Sequence, residues 1–154
     1  MRIEEYTLAE LKEAQLEQAG RVAERKTHVD QARENLLVMQ RRLEQLRQAD
    51  SVDFQRLQET QPHDDVEDVA LILSRRNARD LLVNKAKFEI EILEQRLAEA
   101  SRRHEREVAL LENIVAEIHF REREQRRFDE QLEYQQLRDQ ARLNVAARAT
   151  AQAS

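Results

Sequence analysis

The sequence predicts an all-α fold, a long antiparallel two-helix coiled-coil hairpin in which the C-terminal helix is the longer one. Three observations lead to this prediction. The 154 residues include only one glycine and one proline, so the turn-forming residues that a sheet requires are scarce. Two stretches repeat apolar residues at alternating spacings of three and four, the pattern of a left-handed coiled coil. The single proline, Pro62, lies between those two stretches.

The first helix is predicted to span about residues 7–60. Thr7 and Glu10 form a capping-box pattern at its start. Its apolar series, interrupted only by Arg25, consists of Val22, Val29, Ala32, Leu36, Met39, Leu43 and Leu46. Asp50 and Asp53 continue the same spacing, so a break or a separate short helix within residues 50–60 remains open.

A turn at about residues 61–64 is predicted to separate the helices. Pro62 lacks the N–H that a continuing helix needs and disfavours helix at the residue before it. Asp64 and Glu67 then match a capping pattern for a second helix over about residues 65–147, followed by a frayed tail at 148–154. The strong part of its apolar series is Val83, Ala86, Ile90, Leu93, Leu97, Ala100, Leu111, Ile114 and Ile118.

The two series share one register, which makes residues 1–154 a single hairpin domain. Folding the chain at the proline places apolar positions opposite each other: Leu46 and Val83, Leu43 and Ala86, Met39 and Ile90, Leu36 and Leu93, Ala32 and Leu97, Val29 and Ala100. The same register places Arg25 opposite His104, with Glu107 one step along. We interpret these three residues as a polar layer that fixes register; a pH switch at His104 is the alternative.

Composition argues against several function classes. The chain has no cysteine, no zinc-binding histidine spacing and no glycine-rich phosphate loop, and a two-helix hairpin offers no deep concave pocket. We therefore predict no enzyme, no catalytic residue, no metal and no cofactor. The 26 basic and 31 acidic residues are spread evenly, which argues against nucleic acid as a partner. No apolar run is long enough for membrane insertion, and the start lacks a signal-peptide core, so we expect a cytoplasmic protein.

Some apolar residues exceed what a two-helix seam buries, and these are the predicted partner-binding residues. The set nearer the turn is Phe54, Leu57, Ile72, Leu81 and Phe88. About 20 residues of the second helix are also expected to extend past the first, and this overhang carries Phe128, Leu132 and Tyr134. A partner, a second copy or a third short helix would cover the first set, and the overhang is either a binding segment or a frayed extension.

Four features of this chain point to a known family: its length, the central break "QPHDD", the two heptad arms and the charged end "REREQRRFDEQLEYQQLRDQA". In these features the chain resembles the FliJ/YscO (SctO) family. These are the coiled-coil stalk proteins of flagellar and type III secretion export apparatus. The resemblance implies a non-enzymatic stalk that links a hexameric export ATPase to an export-gate protein, and some members bind secretion chaperones. It also implies a cytoplasmic location, peripheral to a membrane-embedded secretion apparatus.

Two other functions remain open from the sequence. A self-associating structural or adaptor rod, unrelated to secretion, would use the apolar residues near the turn as its dimer face. A coiled-coil arm that grips RNA would need a basic turn region, and this one is acidic. By itself the chain is expected to be a monomer or a weak dimer.

Overall fold

The computed structural model describes residues 2–60 and 65–153, and it consists of two long α-helices after a short 3₁₀ turn at Ile3–Glu5. Helix α1 spans Leu8–Glu59 and helix α2 spans Val66–Ala153, with 52 and 88 residues respectively. The two helices pack against each other in antiparallel order. The predicted all-α hairpin with a longer second helix is therefore confirmed.

Contacts divide the chain into two units, each built from a stretch of α1 and a stretch of α2. The first unit comprises Met1–Ala19 with Ala109–Ser154, and the second comprises Gly20–Val108.

The core of the Gly20–Val108 unit follows the register expected from the heptads. Leu36 and Leu43 of α1 are buried together with Ala86 and Ile90 of α2. The partly buried residues around them are Met39, Val83, Leu93 and Leu97. In this core a small residue, Ala86, faces a large one, Leu43.

The core of the other unit contains the most completely buried side chains. Leu11 of α1 is 0% exposed, and Ile114 and Ile118 of α2 are 1% and 5% exposed. Around them lie Ile3, Leu8, Ala14 and Leu110. Complete burial of one such side chain stabilises a fold by roughly 1.5–3 kcal/mol, so these residues anchor the start of α1 against α2.

The start of α1 is capped as the sequence predicts. The Glu10 N–H donates to Thr7 Oγ1 at 3.2 Å, and the Thr7 N–H donates to Glu10 Oε2 at 2.7 Å. These two hydrogen bonds satisfy N–H groups that a helix start otherwise leaves unpaired. The hydrogen bond from the Thr7 backbone also lowers the pKa of the Glu10 carboxyl.

The ends of the helices near the turn differ in detail from the prediction. Helix α1 stops at Glu59, and the Thr60 hydroxyl donates to the Arg56 carbonyl at 3.0 Å. The predicted turn at 61–64, with its roles for Pro62 and Asp64, lies outside the described residues. The cap of α2 in the structure is Asp65, whose Oδ1 accepts the Glu67 N–H at 3.0 Å.

Two other boundaries differ from the sequence-based expectation. Helix α2 continues to Ala153, past the predicted end at residue 147, because the alanine-rich end favours helix. Helix α1 runs without interruption through residues 50–59, so a separate short helix does not form there.

Candidate partner-binding surfaces

An ionic cluster between α1 and α2 explains why α1 does not break at its two aspartates. Arg76 binds Asp50 through two hydrogen bonds, Nε to Oδ1 at 2.9 Å and Nη2 to Oδ2 at 3.2 Å. Arg79 Nη2 donates to Asp53 Oδ2 at 2.6 Å, and Arg75 adds an ion pair to Asp53 at 3.7 Å. Asp53 is buried, and Arg79 Nη1, 3.6 Å from Asp50 Oδ1, is buried without a hydrogen bond.

The cluster holds both carboxyl groups in their charged form. The hydrogen bond from Arg76 lowers the pKa of Asp50, and the charges of Arg76 and Arg79 act in the same direction. The hydrogen bond from Arg79 lowers the pKa of Asp53, assisted by the charges of Arg79 and Arg75. The apolar spacing did not predict this cluster, although the register that it gives places Asp50 opposite Arg79.

The predicted residues near the turn fall into two groups. Leu81 and Phe88 are 73% and 63% exposed. They are seven residues apart, two helical turns, and therefore lie on one face of α2. Heptad spacing puts this face opposite the one that carries the buried Ala86 and Ile90. Phe54 is also exposed, with the Arg76 guanidinium carbon 5.2 Å from its ring centroid. All three are accessible apolar side chains.

Leu57 and Ile72 belong to a different environment. Both are half-buried, and the register that pairs Leu43 with Ala86 places Leu57 opposite Ile72. They are therefore positioned to close the hairpin, and substituting them would disturb the fold as well as any partner. We accordingly define the turn-side surface as Phe54, Leu81 and Phe88.

In the first unit, Glu122 of α2 pairs with Lys12 of α1 at 3.2 Å, and the residue before it, Arg121, binds the N-terminal turn. Its Nη2 donates to the carbonyls of Ile3 and Glu4, each at 3.2 Å, and its Nη1 donates to the Tyr6 carbonyl. Its Nε also binds Glu117 at 2.8 Å. The heptad series of α2 loses its apolar character at Arg121 because this position faces backbone carbonyls of the N-terminal turn rather than apolar side chains.

Every residue of α2 from 123 to 153 is exposed, and this stretch is the C-terminal segment. It carries the other predicted binding residues, Phe128, Leu132 and Tyr134, which are 57%, 40% and 69% exposed. Leu137, Leu143 and Val145 are exposed there as well. The overhang is therefore longer than the roughly 20 residues expected from the sequence.

The predicted polar layer lies in the Gly20–Val108 unit, where Arg25, His104 and Glu107 are each half-buried.

Within the described residues, no group of three or more histidine, aspartate or glutamate side chains is arranged to hold a metal ion. The same residues include no helix that is both long and apolar enough to cross a membrane.

Comparisons with protein-family models, with curated proteins and with solved structures found no match to this chain.

Proposed function

We propose that this chain is a non-enzymatic stalk or adaptor that links a hexameric export ATPase to an export gate, on the cytoplasmic side of a type III secretion apparatus. The observation that carries the proposal is the C-terminal segment, a continuation of α2 in which every residue from 123 to 153 is exposed. At about 1.5 Å per residue, this helical segment is about 46 Å long. Such a length suits insertion into the opening of a ring.

The chemistry of the C-terminal segment supports a role in binding. Phe128, Leu132 and Tyr134 lie within two turns and are open to solvent. Aromatic residues are enriched at protein interfaces and supply much of the binding energy there. Most helical stability comes from burying one face of the helix against other structure, so a partner that covers these exposed side chains would also stabilise the helix.

The turn-side surface supplies a second contact. Phe54, Leu81 and Phe88 are exposed in the Gly20–Val108 unit, whereas the C-terminal segment belongs to the other unit. A linking protein needs two separate binding surfaces, and these two meet that requirement. On this proposal, the turn-side surface binds the export gate or a secretion chaperone.

Reciprocal variants test the proposal. The full chain would be mixed with the purified export ATPase and, separately, with the cytoplasmic domain of the export gate from the same cell. Phe128→Ser with Leu132→Ser and Tyr134→Ser should abolish sedimentation with the ATPase and leave gate binding intact. Leu81→Ser with Phe88→Ser should do the opposite. Because all five side chains are exposed, circular dichroism should show unchanged helix content in both variants.

The secretion role would be contradicted if the wild-type chain bound neither the purified export ATPase nor the export-gate domain. The outward position of Leu81 and Phe88 favours one other function, self-association as an adaptor rod. In that case light scattering would detect a dimer whose mass falls to that of a monomer in the Leu81→Ser/Phe88→Ser variant.

A further inference from the structure

A positively charged groove crosses the Gly20–Val108 unit between α1 and α2. Arg25 and His28 line it from α1, and Arg96, Glu99 and Arg103 line it from α2. Its volume is about 280 Å³. This is slightly below the range of about 300–1,000 Å³ that is usual for drug-sized ligands, so the groove has room for a small ligand or for one group of a larger ligand.

The groove exists because the seam is lined by small side chains at this level. Ala32 of α1 and Ala100 of α2 form part of its wall. These two small side chains take up little of the space between the helices, and three arginine side chains line the groove beside them.

Most of the positive charge in the groove has no counter-ion from the protein. Glu99 pairs with Arg103 on the same helix. Within residues 2–60 and 65–153, the side chains of Arg25, His28 and Arg96 make no hydrogen bond or ion pair. Three arginines and one glutamate leave an excess of two positive charges, in a chain whose net charge is −5. These like charges repel one another, and a bound anion would reduce that repulsion.

Guanidinium groups select the class of anion. Each presents several N–H donors in a planar fork that matches the oxygens of phosphate, and two forks on opposite helices can bind two phosphate groups at once. A single carboxylate would neutralise only one of the two excess charges. We infer that this groove is a binding site for a diphosphate group, provided either by inorganic diphosphate or by a nucleoside diphosphate.

Binding would be measured with the full chain and sodium pyrophosphate, at an ionic strength held constant with sodium chloride. Titration calorimetry should show saturable binding of one pyrophosphate per chain, and the thermal midpoint should rise with ligand concentration, because a ligand of the folded state stabilises it. The overall charge of the chain is negative and does not attract anions in general, so saturation would indicate a local site.

Matched variants locate the site. Arg25→Gln or Arg96→Gln should weaken binding about tenfold or more, since each removes a charged hydrogen-bond donor. Glu99→Gln should strengthen binding, because it removes the negative charge of the groove. Arg102→Gln removes the same charge from an exposed position that does not line the groove, and it should leave the affinity unchanged.

Adenosine diphosphate and adenosine distinguish the two sources of diphosphate. Equal affinity for pyrophosphate and adenosine diphosphate would indicate that only the phosphates are bound, and a higher affinity for adenosine diphosphate would indicate a nucleotide ligand. The inference would be overturned by non-saturable binding to the wild-type chain. Equal weakening by Arg102→Gln and Arg25→Gln, or binding of adenosine as tight as that of its diphosphate, would overturn it as well.

Discussion

The apolar layers at Leu36 and Leu43 and the ionic layers at Asp50 and Asp53 occupy equivalent positions on α1, yet different forces hold them against α2. The leucines are buried with Ala86 and Ile90, whereas the aspartates are bound by arginines. Apolar burial is not directional, and it stabilises any register of the two helices that removes apolar surface from water. The ionic layers offer little net stability because the charges lose water, but their hydrogen bonds fit only one register. The first region therefore stabilises the hairpin and the second specifies its alignment.

The largest loss of stability is expected in the apolar layers. Leu43→Ala should lower the free energy of unfolding by about 2–5 kcal/mol, because it removes buried methyl groups and leaves a cavity. Leu37→Ala is the matched control at an exposed position and should change stability by about 0.5 kcal/mol or less. Urea unfolding followed by circular dichroism measures both. Equal losses in the two variants would contradict the assignment of Leu43 to the core.

A smaller loss is expected in the ionic layers. Asp53→Ala should lower the unfolding midpoint in urea, because it leaves the guanidinium of Arg79 without its closest partner. Asp53→Leu combined with Arg79→Leu should restore the midpoint, since two apolar residues replace the pair. Glu124→Ala, which removes an exposed ion pair with Arg127, is the control and should have little effect. A double variant less stable than Asp53→Ala would argue against this account.

Acid should weaken the ionic layers selectively. The pKa values of Asp50 and Asp53 are lower in the folded chain than the ordinary value of about 3.9. Their contribution to stability is therefore complete above about pH 5 and is lost as the pH falls below 4, through the folded-state pKa values. Thermal melts at pH 7 and pH 3 should show a smaller acid-induced decrease in Asp50→Asn/Asp53→Asn than in the wild-type chain. An identical decrease would mean that these aspartates are not charge-paired.

The smallest effect on stability is expected at the turn-side surface. Leu81→Ser with Phe88→Ser should change the free energy of unfolding by no more than about 0.5 kcal/mol per substitution, because neither side chain packs against α1. The same urea experiment measures this. A loss comparable to that of Leu43→Ala would show that these residues pack within the hairpin, and they would no longer be candidates for partner binding.

Much of this structure was predictable from the spacing of residues. Thr7 and Glu10 predict the start of α1, because a capping box is a local interaction that involves only four consecutive residues. The pairing of Leu43 with Ala86 could also be predicted from the sequence, because two regular apolar series on either side of one proline allow few alignments of the two helices. The exposure of Leu81 and Phe88 follows from the same heptads.

Other features of the structure depend on which residues of the rest of the folded chain face a given position of the helix. Asp50 and Asp53 indicate a helix break when α1 is considered alone, because an unpaired carboxylate is costly to bury; arginines of α2 remove that cost. Arg121 likewise ends the apolar series of α2, and only the folded chain brings backbone carbonyls of Ile3 and Glu4 to its guanidinium. The two apolar series and the proline between them thus allowed the helices, their order and their register to be predicted. The tertiary structure decided which polar residues interact with one another, because charge pairing depends on partners distant in sequence.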